Sequence, residues 1–372
     1  MEKKTNCKIV FILGSISQPR LIKRIKSFIS QGYDVEIYGF DRGVYNINAQ
    51  IDGKTIHILG HQQNGKDYMG KFFRTIKEVR KVLKKYNGED TLFYGTNFTI
   101  TLSLKLNGCK NYIYEISDVL YGYKRFNLIR WLLKYIDIFL IRHSMLTVLT
   151  SAGFAKFFFG KNTPKNIIIQ PNRLDFSFFD KKRPDNIVPR SIDSLNFSYV
   201  GAFRSLNTIF RFARIIGEKY PNHQFHFYGD SIFRNEVIEI ANSFDNVKYH
   251  GPFKNPDDLV NIYSNIDIVV ACYDTQNLNE QILEPNKLYE ALYFRKPIIV
   301  SENTFLAERV KELGCGFVIN ATDDHSIILF LNSITRNDLE KIYKNIDKIQ
   351  LEDIIDDNST KIISYLKADN DV

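Results

Sequence analysis

Short apolar runs alternate with amphipathic helical segments along almost the whole chain, and this alternation limits the fold more than any other feature. Near the start, an apolar run at 8–13 precedes helical spacing at 19–30 and a second apolar run at 35–40. A strand, a helix and a strand in this order form a βαβ unit with a parallel pair of strands. The same alternation continues to residue 170 and restarts at 195. The sequence therefore predicts an α/β protein with two Rossmann-like, doubly wound domains that face each other across a cleft.

The division between the two domains is predicted from composition. Residues 180–193 are polar and charged and include two prolines, which is typical of a linker. We expect an N-terminal domain over 1–180 and a C-terminal domain over 181–345. Residues 346–372 are predicted as a helical tail that could pack back on the first domain.

Charge is divided unevenly between the halves of the chain. Residues 1–185 carry 31 Lys and Arg against 15 Asp and Glu, a net charge of +16, whereas residues 186–372 carry 19 against 27, a net charge of −8. The basic half could face an anionic membrane, a phosphate-bearing acceptor or nucleic acid. Two basic amphipathic helices, predicted at 71–86 and 126–139, fit a membrane surface or an ordinary solvated face over a packed apolar stripe. No helix-turn-helix, zinc or base-stacking signature supports nucleic acid as a partner.

The spacing of the cysteines and the composition of the first residues indicate the cellular compartment. Cys7, Cys109, Cys272 and Cys315 form no close pair and no zinc-ligand spacing, which fits a reducing cytosol. We find no signal peptide and no run approaching the roughly 20 apolar residues of a spanning helix. The expected location is the cytoplasm, with peripheral association with the inner face of the cytoplasmic membrane as an option.

The segment from 266 to 300 carries the clearest chemical signal. An apolar run at 266–273 is followed by a polar loop, a short helix that begins at Pro285, a turn at Lys296-Pro297 and another apolar run. Free backbone N–H groups and the helix dipole favour a diphosphate at such a helix start. Glu290, one turn later, could accept hydrogen bonds from sugar or ribose hydroxyls. An ordinary strand–helix–strand unit would give the same pattern.

Several segments together resemble sugar transferases of the GT-B fold, and most closely glycosyltransferase family four of the polysaccharide and capsule type. Each segment alone is weakly specific, but their order and spacing cover nearly the whole chain. They are Gly14 to Arg20, Tyr114 to Asp118, Gln170 to Asp175, Tyr199 to Arg204, Phe227 to Asp230, His250 to Phe253 and the stretch Pro-Asn-Lys-Leu-Tyr-Glu-Ala-Leu at 285–292 with Lys-Pro-Ile-Ile-Val at 296–300.

Three positions depart from the family pattern. Arg173 stands where the family has Gly, Ala202 stands where many members have Arg, and Ile282 stands eight residues before Glu290, where many members have Glu. Glu280 and Glu284 are close enough in sequence to supply a shifted carboxylate.

The resemblance implies a glycosyltransferase that moves a sugar from a nucleotide-sugar donor to a glycan acceptor, with retention of anomeric configuration. The acceptor would be a lipid-linked intermediate of a bacterial surface polysaccharide. Arg204, Lys287 and the helix N–H groups could replace a divalent metal, so neither a metal nor a cofactor beyond the substrate is expected. The predicted donor-binding residues are Gly14, Asn172, Arg204, Gly229, Phe253, Tyr273, Pro285, Asn286, Lys287, Leu288 and Glu290.

The predicted catalytic carboxylates are Asp118, Glu115 and Glu284. Asp118 follows a strand of the basic domain and could orient or deprotonate the acceptor, or serve as a helix N-cap. Glu115 is the fallback for the same role. Among the donor residues, Arg204 could instead be a solvated loop arginine, and Phe253 could be a core aromatic.

Two other functions remain compatible with the sequence. One is a nucleotide-sugar epimerase on the same two-domain fold, which would need acid and base carboxylates but no acceptor. The other is a non-catalytic basic protein that binds membrane or nucleic acid.

Overall fold

The computed structural model describes residues 7–43, 49–62, 67–123, 127–175, 183–185, 189, 191–203, 206–357 and 359–369. It divides into two compact units, one formed by residues 1–172 with 357–372 and the other by residues 173–356. The sequence prediction placed the first division after residue 180 and began the tail at 346. In the structure the chain enters the second unit at Arg173, and residues 346–356 still belong to that unit.

The first unit contains an eight-stranded sheet in the order β3-β4-β2-β1-β5-β6-β7-β8. All neighbouring strands are parallel except β3 and β4, which are antiparallel at one edge. The strands are β1 Lys8–Leu13, β2 Asp34–Asp41, β3 Gln50–Ile51, β4 Lys54–His61, β5 Thr91–Gly95, β6 Tyr112–Ile116, β7 Leu146–Leu149 and β8 Ile167–Ile169.

Helices connect these strands, as the alternating pattern predicts. They are α1 Pro19–Ser30, α2 Tyr68–Lys85, α3 Phe98–Leu106, α4 Asn127–Arg142 and α5 Ala152–Phe159, with a 3₁₀ turn at Leu120–Tyr123. The centre of β1 is fully buried, and the Phe11 ring stacks on Tyr94 of β5 with ring centres 4.6 Å apart. Continuous apolar runs become buried parallel strands because helices cover them.

The second unit contains a six-stranded, wholly parallel sheet in the order β11-β10-β9-β12-β13-β14. Its strands are β9 Asn196–Val200, β10 Gln224–Tyr228, β11 Val247–Tyr249, β12 Ile268–Ala271, β13 Ile298–Ser301 and β14 Gly316–Ile319. Its helices are α6 Leu206–Lys219, α7 Arg234–Ser243, α8 Leu259–Ser264, α9 Leu278–Ile282, α10 Asn286–Tyr293, α11 Phe305–Leu313, α12 Asp324–Ser333 and α13 Arg336–Lys348, followed by a 3₁₀ turn at Leu351–Asp353.

One residue of the predicted linker is structural. Arg183 is buried, and its guanidinium donates hydrogen bonds to the carbonyls of Ile346 and Ile349, at 3.1 Å each, and to that of Leu292. These carbonyls lie near the carboxyl ends of α13 and α10, where a cation satisfies otherwise unpaired acceptors. The arginine therefore ties α10 to α13 inside the second unit.

The last helix, α14 Thr360–Asp369, belongs to the first unit. Ile362, Ile363 and Leu366 are buried in the same apolar cluster as residues of β1, β2 and β5. No helix in the parts of the chain that the structure describes has the length and apolar character needed to cross a bilayer.

We expect Ile362→Ala to destabilise the first unit by about 2–5 kcal/mol, because it leaves a cavity in the buried cluster. Urea unfolding, followed by proteolysis to resolve the two units, measures the effect. Ser364→Ala is the matched control, since Ser364 lies on the same helix and is exposed. Equal unfolding midpoints for the two variants would show that α14 does not support the unit.

Candidate functional site

The carboxyl edge of the second sheet is shaped by two glycines. Gly201 directly follows β9 and Gly229 directly follows β10, with φ angles of +118° and +138°. A Cβ atom on Gly229 would lie only 2.1 Å from the Gly201 carbonyl oxygen. Only glycine allows two backbone segments to approach this closely in this conformation. Ligands of parallel α/β sheets bind beyond this edge.

Lys287 lies over the same edge. Its Nζ is 4.4 Å from the centre of the Tyr199 ring and 5.8 Å from that of Tyr273. A Cβ atom on Gly201 would lie 3.0 Å from this nitrogen. Burial by itself would lower the pKa of Lys287, but its interactions with Tyr199, Tyr273 and Glu290 raise the pKa above the ordinary value. The side chain is therefore a fixed cation at neutral pH.

Lys287 occupies the first turn of α10, as the sequence predicts. The helix begins at Asn286, and the residue before it, Pro285, offers no side-chain cap. Asn286 is exposed, whereas Leu288 is fully buried and anchors the turn in the core. The amino end of α10 thus adds a partial positive charge beside the Lys287 ammonium group.

Glu290 follows one turn later and is 6% exposed. Its carboxylate accepts a hydrogen bond from the Tyr263 hydroxyl at 2.8 Å. Burial raises the pKa of Glu290, while Lys287 and Tyr263 act in the opposite direction. The Tyr263 ring stacks on Phe294, with ring centres 4.4 Å apart, and this fixes the hydroxyl that holds the carboxylate.

The structure brings Gly229, Tyr273, Lys287 and Glu290 together on the second unit. Phe253 is half-buried and packs against the core of that unit, as its alternative interpretation predicts. Asn172 and Gly14 belong to the first unit. Arg204 lies outside the described residues.

Glu284, one of the predicted catalytic carboxylates, is already paired. It accepts a hydrogen bond from the Tyr289 hydroxyl at 2.7 Å and lies 3.3 Å from the Arg309 guanidinium. Its side chain is 3% exposed. Nearby Glu280 accepts the backbone N–H of Asp274 at 2.8 Å. Glu284 therefore joins the segment before α10 to α10 and α11, and Glu280 joins α9 to the loop before it.

Glu115 does not fit the role of general base. It is fully buried in β6 and accepts hydrogen bonds from Arg20 at 2.7 Å, from Arg24 at 3.4 Å and from the Tyr94 hydroxyl. Burial would raise the pKa of Glu115, but the two guanidinium groups outweigh burial and hold the pKa below its usual value. A carboxylate with these three partners joins α1 to the sheet and is shielded from a substrate hydroxyl.

Asp118 lies two residues beyond β6 and is exposed. It interacts electrostatically with Arg42. Burial lowers the pKa of Arg42 below its ordinary value, and the Asp118 carboxylate acts in the opposite direction. The Arg42 Nε donates to the Gly14 carbonyl at 3.0 Å, and a Cβ atom on Gly14 would lie 1.9 Å from Asn97 Nδ2. Gly14 and Asp118, two of the predicted site residues, therefore both interact with Arg42. The sequence analysis did not identify Arg42 as a site residue.

A cavity of about 690 Å³ opens beside Arg42 in the first unit. It lies among α2, α3, α4 and the carboxyl ends of β1, β2 and β5. Its apolar lining consists mainly of Phe40, Met69, Phe72, Phe98, Ile100, Leu102, Leu120 and Leu133, and its polar lining includes Arg42, Gln62, Lys71, Thr75 and Asn97. No sequence pattern predicts this cavity, because the residues that line it come from segments far apart in the chain.

A buried carboxylate anchors α4, one wall of the cavity. Asp137 is fully buried and accepts hydrogen bonds from Tyr114 at 2.6 Å and Tyr121 at 3.1 Å. Burial raises its pKa to about 7, although both tyrosine hydroxyls act to lower it. The position of α4 therefore depends on a group that titrates near neutral pH.

We expect the stability of the native chain, relative to Asp137→Asn, to fall as the pH rises from about 4 to about 7. The unfolded carboxyl loses its proton near its ordinary pKa of about 4, so the unfolded state binds fewer protons than the native state across this window. The difference in the free energy of unfolding between the native chain and Asp137→Asn should change by up to about 1.4 kcal/mol per pH unit. Thermal unfolding at several pH values measures it, and parallel curves for the two proteins would contradict the assignment.

Among the described residues, no group of three or more His, Cys, Asp or Glu side chains is arranged to hold a metal ion. Among the described residues, Lys287 and the amino end of α10 contribute positive charge at the edge of the second sheet. This arrangement can hold a diphosphate and, through Glu290, neighbouring hydroxyl groups.

Comparison with known proteins gives one family match. Residues 193–350, most of the second unit, match the family described as glycosyl transferases group 1. Comparison with curated protein sequences gave no match.

Solved structures match over nearly the whole chain at low identity. Sucrose-phosphate synthase from Thermosynechococcus elongatus aligns with a TM-score of 0.71 at 12% identity, covering 98% of this chain and all of that one. HepE from Anabaena, in complex with UDP and glucose, aligns with a TM-score of 0.69 at 15% identity, covering 97% and 99%. A protein from Listeria monocytogenes described as a UDP-N-acetylglucosamine 2-epimerase aligns with a TM-score of 0.63 at 13% identity, covering 97% and 96%.

These likenesses confirm the predicted fold class, two Rossmann-like α/β domains of the GT-B type. Fold alone does not separate sugar transfer from epimerisation, since both activities occur among the names of similar structures.

Proposed function

We propose that this chain, a glycosyltransferase by the group 1 domain of its second unit, moves a sugar from a nucleotide diphosphate donor to a glycan acceptor. The observation that carries the proposal is the Lys287 ammonium group, fixed over Gly201 and Tyr199 at the amino end of α10. HepE binds UDP and glucose, and a uridine nucleotide is therefore the first donor to test here.

The reaction breaks the bond between the anomeric carbon and the diphosphate oxygen and forms a bond to an acceptor hydroxyl. Negative charge develops on the leaving diphosphate, where a preorganised cation contributes most to rate. Lys287 and the α10 amino end supply this charge, which supports our proposal that no divalent metal is required. Glu290 would hold sugar or ribose hydroxyls. We propose retention of anomeric configuration on the basis of the family resemblance alone.

The acceptor proton needs a base, and Asp118 is our candidate. It is exposed, it follows the carboxyl end of β6, and it interacts electrostatically with the Arg42 guanidinium. Glu115, which the sequence offered as the fallback, is committed to Arg20 and Arg24.

We further propose that the acceptor is a lipid-linked intermediate of a bacterial surface polysaccharide and that the first unit works at the inner face of the cytoplasmic membrane. The net positive charge of residues 1–185 would attract anionic lipid. Helix α4 exposes Leu128, Trp131, Leu132 and Tyr135, which suits an interfacial helix. Epimerisation is the second candidate, favoured only by the Listeria structural match.

We expect UDP or GDP to raise the melting temperature of the full chain, because a ligand that binds only the folded state stabilises it. Lys287→Ala should abolish that shift, whereas the exposed Lys311→Ala should keep it. Differential scanning fluorimetry measures both. An unchanged shift in Lys287→Ala would remove the proposed donor site.

We expect Asp118→Asn to lower kcat for sugar transfer about 10²- to 10⁴-fold, the range for loss of a general base, and to leave the nucleotide-induced melting shift unchanged. Transfer of radiolabelled sugar to a membrane-extracted acceptor measures kcat. Incubation with UDP-N-acetylglucosamine alone is the parallel assay. Full activity in Asp118→Asn would exclude the proposed base, and epimer formed without acceptor would favour the epimerase.

A further inference from the structure

The lining of the cavity in the first unit suits a chemical group other than a sugar. Nine of its lining side chains are aliphatic or aromatic, and its volume is about 690 Å³. A sugar hydroxyl placed against such side chains loses its hydrogen bonds to water, which is unfavourable. A hydrocarbon segment gains free energy for each methylene it buries. The apolar lining therefore favours the binding of a hydrocarbon chain over that of a glycan.

The lining of the cavity includes two cationic side chains, one of which also interacts with the Asp118 carboxylate. Arg42 lines it together with Lys71, and the bond from Arg42 Nε to the Gly14 carbonyl fixes the guanidinium at the carboxyl end of β1. That bond uses one of the five N–H donors of the side chain, and the terminal nitrogens suit the oxygen atoms of a phosphate. A ligand that matches both features has an apolar chain joined to a phosphate.

The cavity is continuous with exposed apolar surface. Tyr68 and Met69 line it and are 65% and 66% exposed, and the lining residue Leu120 is 43% exposed. Leu133 lines the cavity from α4, and the residues before it on that helix, Trp131 and Leu132, are exposed. Such exposure is costly in water, and a lipid chain entering from a bilayer would cover it.

We propose that this cavity binds the phosphate-proximal hydrocarbon segment of a lipid phosphate or diphosphate, with Arg42 contacting the phosphate. The inference rests on the proposed function in one respect, namely that this lipid carries the acceptor glycan. It goes beyond that function because the enzyme then recognises the lipid chain itself, in a site of its own on the first unit. Acceptor glycans without a lipid would be poor substrates.

Farnesyl phosphate is the probe, and its binding to the full chain is measured by calorimetry. Leu102→Trp fills the cavity, and Leu106→Trp is the matched control, since Leu106 lies on the same helix, α3, and is 60% exposed. We expect Leu102→Trp to weaken binding at least tenfold and Leu106→Trp to leave it unchanged. Equal affinities in these two variants would overturn the proposal.

Two further arms test the phosphate contact and the source of the lipid. Arg42→Gln should weaken the binding of farnesyl phosphate about tenfold, the loss expected for a charge-assisted hydrogen bond. The same substitution should leave the binding of farnesol unchanged. Equal loss for both ligands would exclude the phosphate contact. Vesicles of phosphatidylglycerol should not displace farnesyl phosphate, and displacement would assign the cavity to bulk membrane lipid instead.

The nucleotide assay separates this inference from the proposed function. If Leu102→Trp no longer binds farnesyl phosphate but UDP or GDP still raises its melting temperature, the cavity and the donor site are independent. If farnesyl phosphate binds and no nucleotide shifts the native chain, the lipid site stands and the sugar-transfer proposal fails.

Discussion

All strand pairs of the second sheet are parallel, so every one of its strands ends at the same edge, and the proposed donor site depends on this constraint. Backbone N–H groups, loop glycines and the amino end of α10 can meet there only because strand direction is shared. Gly201 and Gly229 allow two of these loops to approach within backbone contact. The Lys287 ammonium group lies over the same edge, 4.4 Å from the centre of the Tyr199 ring and 5.8 Å from that of Tyr273.

Three carboxylates of the predicted site differ in their availability to a substrate because their neighbours differ. Glu115 is surrounded by Arg20, Arg24 and Tyr94 and is a structural anion. Within the described part of the chain, Glu290 accepts a hydrogen bond from Tyr263 and lies near Lys287, which leaves acceptor capacity for hydroxyl groups. Asp118 is exposed beside Arg42. Burial and partners, rather than residue type, decide which of the three can act on a substrate.

The two units differ in the chemical character of their proposed binding sites. The second unit offers a fixed cation, a helix amino end and a held carboxylate, which suit a charged and hydroxylated ligand. The first unit offers an apolar cavity with an arginine in its lining and exposed aliphatic and aromatic side chains at its rim. A substrate pair made of a nucleotide sugar and a lipid-borne glycan has this same division of properties.

The sequence by itself determined the fold class, since alternating apolar runs and amphipathic helices allow few arrangements other than doubly wound parallel sheets. It also located the start of α10 and thereby Lys287 and Glu290, because a local strand–loop–helix pattern sets the direction of a helix end. Only the tertiary structure decided that Glu115 is enclosed by α1, that Arg42 joins Gly14 and Asp118, and that an apolar cavity opens beside them. These features depend on contacts between segments many residues apart, and sequence periodicity carries no information about which side chains meet across a fold.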